Sequence, residues 1–235
     1  MGLTGAGGAM ISIPLFIGQL DASLKDATVL SLIAVILGTS VNLIGQLSAV
    51  NKKIVLMLSL AGMLANYFSL PLKEMVNEFL ISGLLTVISA YSIWSVWKTN
   101  PPKAKLSQES FIIPKAIMAG LFLGLITTLT GLGGGVVLVP ILMNFFGRNY
   151  EEALPTSLGT IFLIALTSFI LQSKTALELV SLTQVAYLGV GALIAFFLLK
   201  GILKLLNEIT IQISRKIVFT LVNVYAAFSV IINSK

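Results

Sequence analysis

Seven stretches of the chain run for 16 residues or more without a charged side chain: Ala27–Ser48, Ile54–Ser69, Phe79–Trp97, Ala116–Phe146, Ala153–Gln172, Ser181–Leu199 and Ile217–Asn233. Residues 1–20 add an eighth apolar stretch, interrupted by glycines. About 20 mostly apolar residues suffice for a helix to cross a bilayer. The backbone polar groups of such a run must be satisfied inside the segment when lipid surrounds it. The expected fold class is therefore an all-α polytopic membrane protein with eight hydrophobic helical segments. Composition agrees, with 57% hydrophobic and 10% charged residues against about 25% charged in an ordinary soluble domain.

Histidine and cysteine are both absent. This excludes disulfide frameworks and the usual zinc, haem and iron–sulfur ligand sets. It also excludes cysteine proteases, Ser-His-Asp hydrolases and histidine proton relays. No metal and no cofactor is expected, and an enzyme is the least favoured class. The net charge of +6 reads as loop lysines at a cytoplasmic face, not as a nucleic-acid footprint. Glu78, Lys115, Glu152, Lys200 and Lys216 all fall at or beyond run ends. With no carboxylate deep in a run, divalent-cation transport and an Asp/Glu proton relay are disfavoured. The N-terminus lacks the basic region of a secretory signal, and Ala6 stands where a myristoylation site needs Ser or Thr.

The two halves of the chain repeat. At a shift of 126 residues, LTGAGGA at 3–9 falls on LTGLGGG at 129–135, Pro14 on Pro140, Ala27 on Ala153, and Ser31-Leu32 on Ser157-Leu158. Nine of the thirty positions from 3 to 32 are identical. The second copy lies in a charge-free run of 31 residues, Ala116–Phe146, too long for one straight span and too short for two. Gly131, Gly133, Gly134 and Gly135 sit near its middle, and each costs a helix about 1 kcal/mol relative to alanine. Two half-helices of about 12–15 residues, meeting at a glycine break, are expected. Pro14 and Pro140 are then structural, early in the second half-helix. Paired, glycine-interrupted segments in corresponding places of two halves point to a transporter's binding site. Packing glycines are the bland alternative; Gly120 and Gly124, four apart, fit it better than consecutive glycines do. The spacing does not complete a dinucleotide loop, because Met10 and Val136 stand where its last glycine is needed.

Residues 98–115, with three prolines and four lysines, read as a cytoplasmic linker between a first transmembrane repeat at 1–97 and a second at 116–235. If both broken segments cross the membrane, the loop Lys and Arg residues divide eight to seven. If both turn back, they divide eleven to four. The positive-inside rule prefers the second arrangement, which inverts the two repeats.

The pieces TGAGGAMISIPLF with ATVLSL downstream, and TGLGGGVVLVPIL with ALPTSL downstream, resemble the sulfite exporter TauE/SafE family of membrane permeases. The resemblance covers nearly the whole chain. It implies a multi-pass protein of the cell membrane that moves a small anion, such as sulfite, another sulfur oxyanion or an organosulfonate. On the family pattern an apolar helix precedes the first glycine motif. Only Met1-Gly2-Leu3 do so here, so the first repeat is expected to be N-terminally short.

An oxyanion needs positive potential without a dehydrated lysine. A helix N-terminus supplies about half a positive charge and free N–H donors, and glycines let the backbone approach the ligand. The candidate substrate contacts are thus Thr4, Gly5, Gly7, Gly8 and Ser31 in the first copy. In the second they are Thr130, Gly131, Gly133, Gly134, Gly135, Thr156 and Ser157. Any single Ser or Thr has the alternative of bonding its own helix carbonyl. Asn42, Gln46, Asn66, Gln172 and Asn223 read as interhelical glue. The leading function is a secondary transporter for a small anionic substrate. The rival is a non-transporting membrane scaffold or assembly subunit. Small-residue faces allow a homodimer without demanding one.

Overall fold

The computed structural model describes residues 9–20, 22–98 and 112–173, with isolated positions 194, 217, 220, 221, 224 and 225. All regular structure among them is helical: α1 (Ala9–Leu20), α2 (Leu24–Ile44), a 3-10 turn (Leu47–Ala49), α3 (Lys52–Met75), α4 (Glu78–Lys98), α5 (Ile112–Thr130), α6 (Gly135–Phe145) and α7 (Tyr150–Leu171). Four of these, α2, α3, α5 and α7, are long and apolar enough to cross a membrane. Apart from those isolated positions, the expected segments Ser181–Leu199 and Ile217–Asn233 lie outside the described residues.

Caps set the helix starts. Ser23, Asn51 and Asn149 each accept a hydrogen bond from the backbone N–H three residues on, at Asp26, Ile54 and Glu152. These bonds satisfy donors that a helix N-terminus leaves unpaired. The repeat is visible here. Leu24 and Tyr150 begin their helices 126 residues apart. Ala27 and Ala153 are fully buried. Ser31 and Ser157 both donate to the carbonyl three residues back, at Thr28 and Leu154, each at 2.7 Å.

Two boundaries depart from the sequence reading. The broken segment falls into two helices that meet at the glycines, as expected, but the first reaches back beyond Ala116. That first helix includes Ile112 and takes in Lys115, whose ammonium lies 3.5 Å from the Phe145 carbonyl at the end of α6. A charge-free run cannot include a lysine that finds its acceptor 30 residues away. Likewise α3 does not stop at Ser69 but continues through Pro71 to Met75, with Lys73 buried in its last turn.

Helix directions follow from the contacts. Lys25 Nζ at the start of α2 reaches the Glu74 carbonyl at the end of α3, 3.2 Å away, so α2 and α3 are antiparallel. Along α3 and α5, Leu58 and Ala61 face Gly120, Gly62 and Ala65 face Gly124, and Asn66 bonds Thr128 at 3.0 Å; these two run in the same direction. So do α3 and α7, joined by Asn66 to the Ile164 carbonyl (2.8 Å) and Lys73 to Gln172 (2.7 Å). Helix α6 folds back on α5. Leu123, in mid-α5, packs over Gly134, and Lys115 meets Phe145. Both ends of the broken segment therefore lie at one end of the bundle. The α2–α3 turn is there too, because the Asn51 N–H donates to Thr156 Oγ1 at 3.1 Å.

Among the described residues, the α3–α5 contact is the most extensive. A Cβ at Gly120 would meet the Leu58 carbonyl and Ala61 Cβ, and one at Gly124 would meet the Gly62 carbonyl and Ala65 Cβ. Backbone touches backbone here, the close approach that small residues permit in membrane helices. Gly120 and Gly124 are packing glycines.

Candidate functional site

The break at 131–134 holds three residues with positive φ: Gly131 at 66°, Gly133 at 67° and Gly134 at 68°. An L-residue in this region costs about 1–2 kcal/mol, so glycine is the residue type that lets the chain reverse here. The loop descends into the bundle. Gly131 sits against Thr28 in the second turn of α2, and Ser31 Oγ lies 3.0 Å from its carbonyl. Gly133 sits between Val35 and Ile161, at mid-length of α2 and α7. All of 131–135 are buried.

The N-terminus of α6 is set by this geometry. Its N-cap is Gly134, in the left-handed conformation and with no side chain to cap the helix. The Gly134 carbonyl accepts from Val137 and Leu138, and Gly131 N–H donates to Thr127. Leu132 N–H lies 3.4 Å from Thr130 Oγ1. Among the described residues, the N–H groups of Gly133, Gly134 and Gly135 have no acceptor. Buried backbone donors are nearly always paired, so three in succession at a helix N-terminus stand out. Their dipoles and that of α6 add to positive potential at mid-depth.

A fourth donor was not in the sequence reading. The Thr127 hydroxyl is buried and has no hydrogen-bond partner. Thr127 lies one turn beyond Leu123, which covers Gly134, and its own carbonyl takes the Gly131 N–H. It is thus on the face of α5 turned towards the break. Nothing in the sequence distinguishes it from Thr128, whose hydroxyl is spent on Asn66.

The other candidates divide. Ser31 joins the break directly. Thr130 bonds back to Ile126 at 2.7 Å, though its oxygen also faces Leu132 N–H. Ser157 bonds back to Leu154. Thr156 caps the α2–α3 turn at the bundle end, so its accepting oxygen is engaged away from the break. Gly135 opens α6, and Pro14 and Pro140 are buried inside α1 and α6. Pro140 lies deeper in α6 than a first-turn proline. Thr4, Gly5, Gly7 and Gly8 lie outside the described residues. Asn66 and Gln172 do act as glue, linking α3 to α5 and α7. Among the described residues no cluster of acidic side chains could hold a metal ion.

The described residues build an all-helical architecture with four apolar helices long enough to cross a membrane and a glycine break in its interior. The chain matches the sulfite exporter TauE/SafE family over residues 1–228 and belongs to it. The family is one of membrane transporters. No curated protein and no solved structure matches the chain.

Proposed function

We propose that the protein is a secondary transporter of the cell membrane that moves a small anion, a sulfur oxyanion such as sulfite or an organosulfonate, by alternating access around the glycine break. The observation that carries this reading is the buried glycine break, where the N–H groups of Gly133, Gly134 and Gly135 find no acceptor, with the unpartnered Thr127 hydroxyl on the adjoining helix. A tetrahedral or pyramidal oxyanion accepts from several such donors at once. It gains from the helix N-terminus without requiring a dehydrated cation.

The two repeats are inverted in this reading. What supports it is the antiparallel course of α2 and α7, equivalent elements of the two copies, and the return of α6 towards the start of α5. Lys52, Lys53, Lys115 and Arg148 then share one face, the cytoplasmic one. The chain has no native cysteine, so single cysteines report cleanly. Cysteine at Lys53 and at Glu151 is expected to react with an impermeant maleimide from the same side, and cysteine at Glu74 from the opposite side. Labelling of 53 and 151 from opposite sides would restore the parallel arrangement.

Transport is tested in proteoliposomes with sulfite, thiosulfate, sulfoacetate and sulfate. No flux with any of them would favour the scaffold. Thr127→Val tests the site itself. Valine matches threonine in shape and removes a hydroxyl that has no protein partner, so stability should hold or rise slightly. A hydrogen bond to a charged ligand is worth about 1.5–3 kcal/mol, so transport efficiency should fall at least about tenfold. Unchanged transport with raised stability would remove Thr127 from the site.

A further inference from the structure

Lys73 is the one charged residue among the described ones that the fold buries, with 6% of its surface exposed. A lysine near the end of a membrane helix ordinarily extends its ammonium to the water interface. This one turns inward, across the helix contact, and donates to Gln172 Oε1 at 2.7 Å. Gln172 is held in turn by Ser168, through its hydroxyl at 2.9 Å and its carbonyl at 3.2 Å. The acceptor is therefore a neutral amide fixed in place. Among the described residues no carboxylate lies within ion-pair distance of Lys73. The two charged side chains whose fields reach it, Asp26 and Lys25, are of opposite sign, and Asp26 already accepts from Ser23.

An ammonium removed from water needs a counter-charge as well as a hydrogen bond. One amide oxygen satisfies one of its three N–H donors. In a membrane helix, a buried ionisable group with this deficit is by default part of a pathway. Its position agrees. Lys73 lies beside the first turn of α2, and Thr28 and Ser31, in the turn or two that follow, hold Gly131 at the break. Lys73 thus stands between the lysine-poor face and the unpaired donors.

We propose that Lys73, held by Gln172 and Ser168, forms a second anion-binding station at the mouth opposite the lysine-rich face, where it takes the free small oxyanion on its way to or from the glycine break. This rests on the reading of the protein as an anion transporter. The same chemistry would suit a lipid phosphate, and the test separates the two.

The decisive variant is Gln172→Glu. It is isosteric and places a carboxylate where the amide oxygen stands, giving Lys73 an internal counter-ion. The full-length protein and variant would be compared in phosphatidylcholine proteoliposomes for sulfite flux, and in detergent for the rise in melting temperature on adding sulfite. The expected result is a protein at least as heat-stable as the parent, with KM for sulfite raised tenfold or more and most of the sulfite-induced stabilisation lost. Lys73→Met should give the same loss of affinity by deleting the cation. A stabilised Gln172→Glu protein with unchanged KM and unchanged response to sulfite would overturn the proposal and make Lys73 structural. Stabilisation of the parent by phosphatidylglycerol but not by sulfite would overturn it too, assigning the site to a lipid headgroup. If the parent transports no anion but is still stabilised by sulfite in a Lys73-dependent way, the station stands and the transport reading fails.

Discussion

Gly124→Val is expected to cost the protein its α3–α5 seam. A Cβ at this position lands on the Gly62 carbonyl and lies 2.8 Å from Ala65 Cβ and 2.9 Å from the Gly62 carbonyl carbon. Two of these three atoms are backbone in the middle of a 24-residue helix, so no side-chain rotation relieves the overlap. The helices must separate, and the separation propagates. Gly120 makes the same approach to Leu58 one turn earlier, and a Cβ at Gly62 would meet Ile164 Cδ1 at 2.5 Å. The Asn66–Thr128 and Asn66–Ile164 bonds lie one turn further along the same contact. Overpacking of this kind costs about 3 kcal/mol or more, equivalent to a fall of about 10 °C in Tm for a chain of this size. Gly83→Ala is the control, since a Cβ there meets nothing within 4 Å. It should hold or raise Tm, because alanine is the better helix former. Tm measured in detergent separates the two. A Gly124→Val protein that melts with the parent would mean that α3 and α5 do not meet as described.

These contacts explain which features were legible in the sequence. The 126-residue repeat was readable because both copies keep the same residue types in order: the Gly-x-Gly-Gly motif, the proline, and the serine whose hydroxyl returns to its own helix. Each is a local device, so its trace is local. The packing role of Gly120 and Gly124 was readable from their spacing of four. Lys73 and Lys115 were not. A scan for charge-free runs ends a helix at the first lysine, and what keeps these two in their helices lies 99 and 30 residues away in sequence. Thr127 and Thr128 are adjacent and chemically identical. Only the tertiary fold gives one a partner in Asn66 and leaves the other without. The direction of a Cβ is hidden in the same way. Position 133 reads as a backbone that a ligand approaches, yet a side chain there would point at Val35 Cγ1, 2.6 Å away, and Ile161 Cγ2, 3.0 Å away. Gly133→Val would therefore overpack the core. It cannot separate binding from stability.

Gly131→Ala is expected to abolish transport by displacing the break from α2, and Ser31→Ala is the milder variant that tests the same contact. Two costs add at this position. The backbone has φ of 66°, where alanine loses about 1–2 kcal/mol relative to glycine. The new methyl would also overlap the Thr28 carbonyl and Ser31 Oγ, so it cannot enter without displacing the loop from α2. That displacement breaks the Ser31 contact with the Gly131 carbonyl and re-aims the N–H groups of residues 133–135, which follow within one turn. Binding by several convergent donors is sensitive to such a shift, because each bond weakens steeply as its angle falls. Ser31→Ala separates the two effects. It removes the hydroxyl contact without any overlap, keeps the loop's dihedral angles, and should cost about 0.5–1.5 kcal/mol while retaining measurable flux. The expected order of sulfite flux in proteoliposomes is parent, then Ser31→Ala, with Gly131→Ala at background and lower in melting temperature, since its new methyl also overlaps backbone. If Gly131→Ala transports as well as Ser31→Ala, the alignment of the break does not govern binding. The unpaired donors would then be a feature of the fold, and Lys73 the better place to look for the anion.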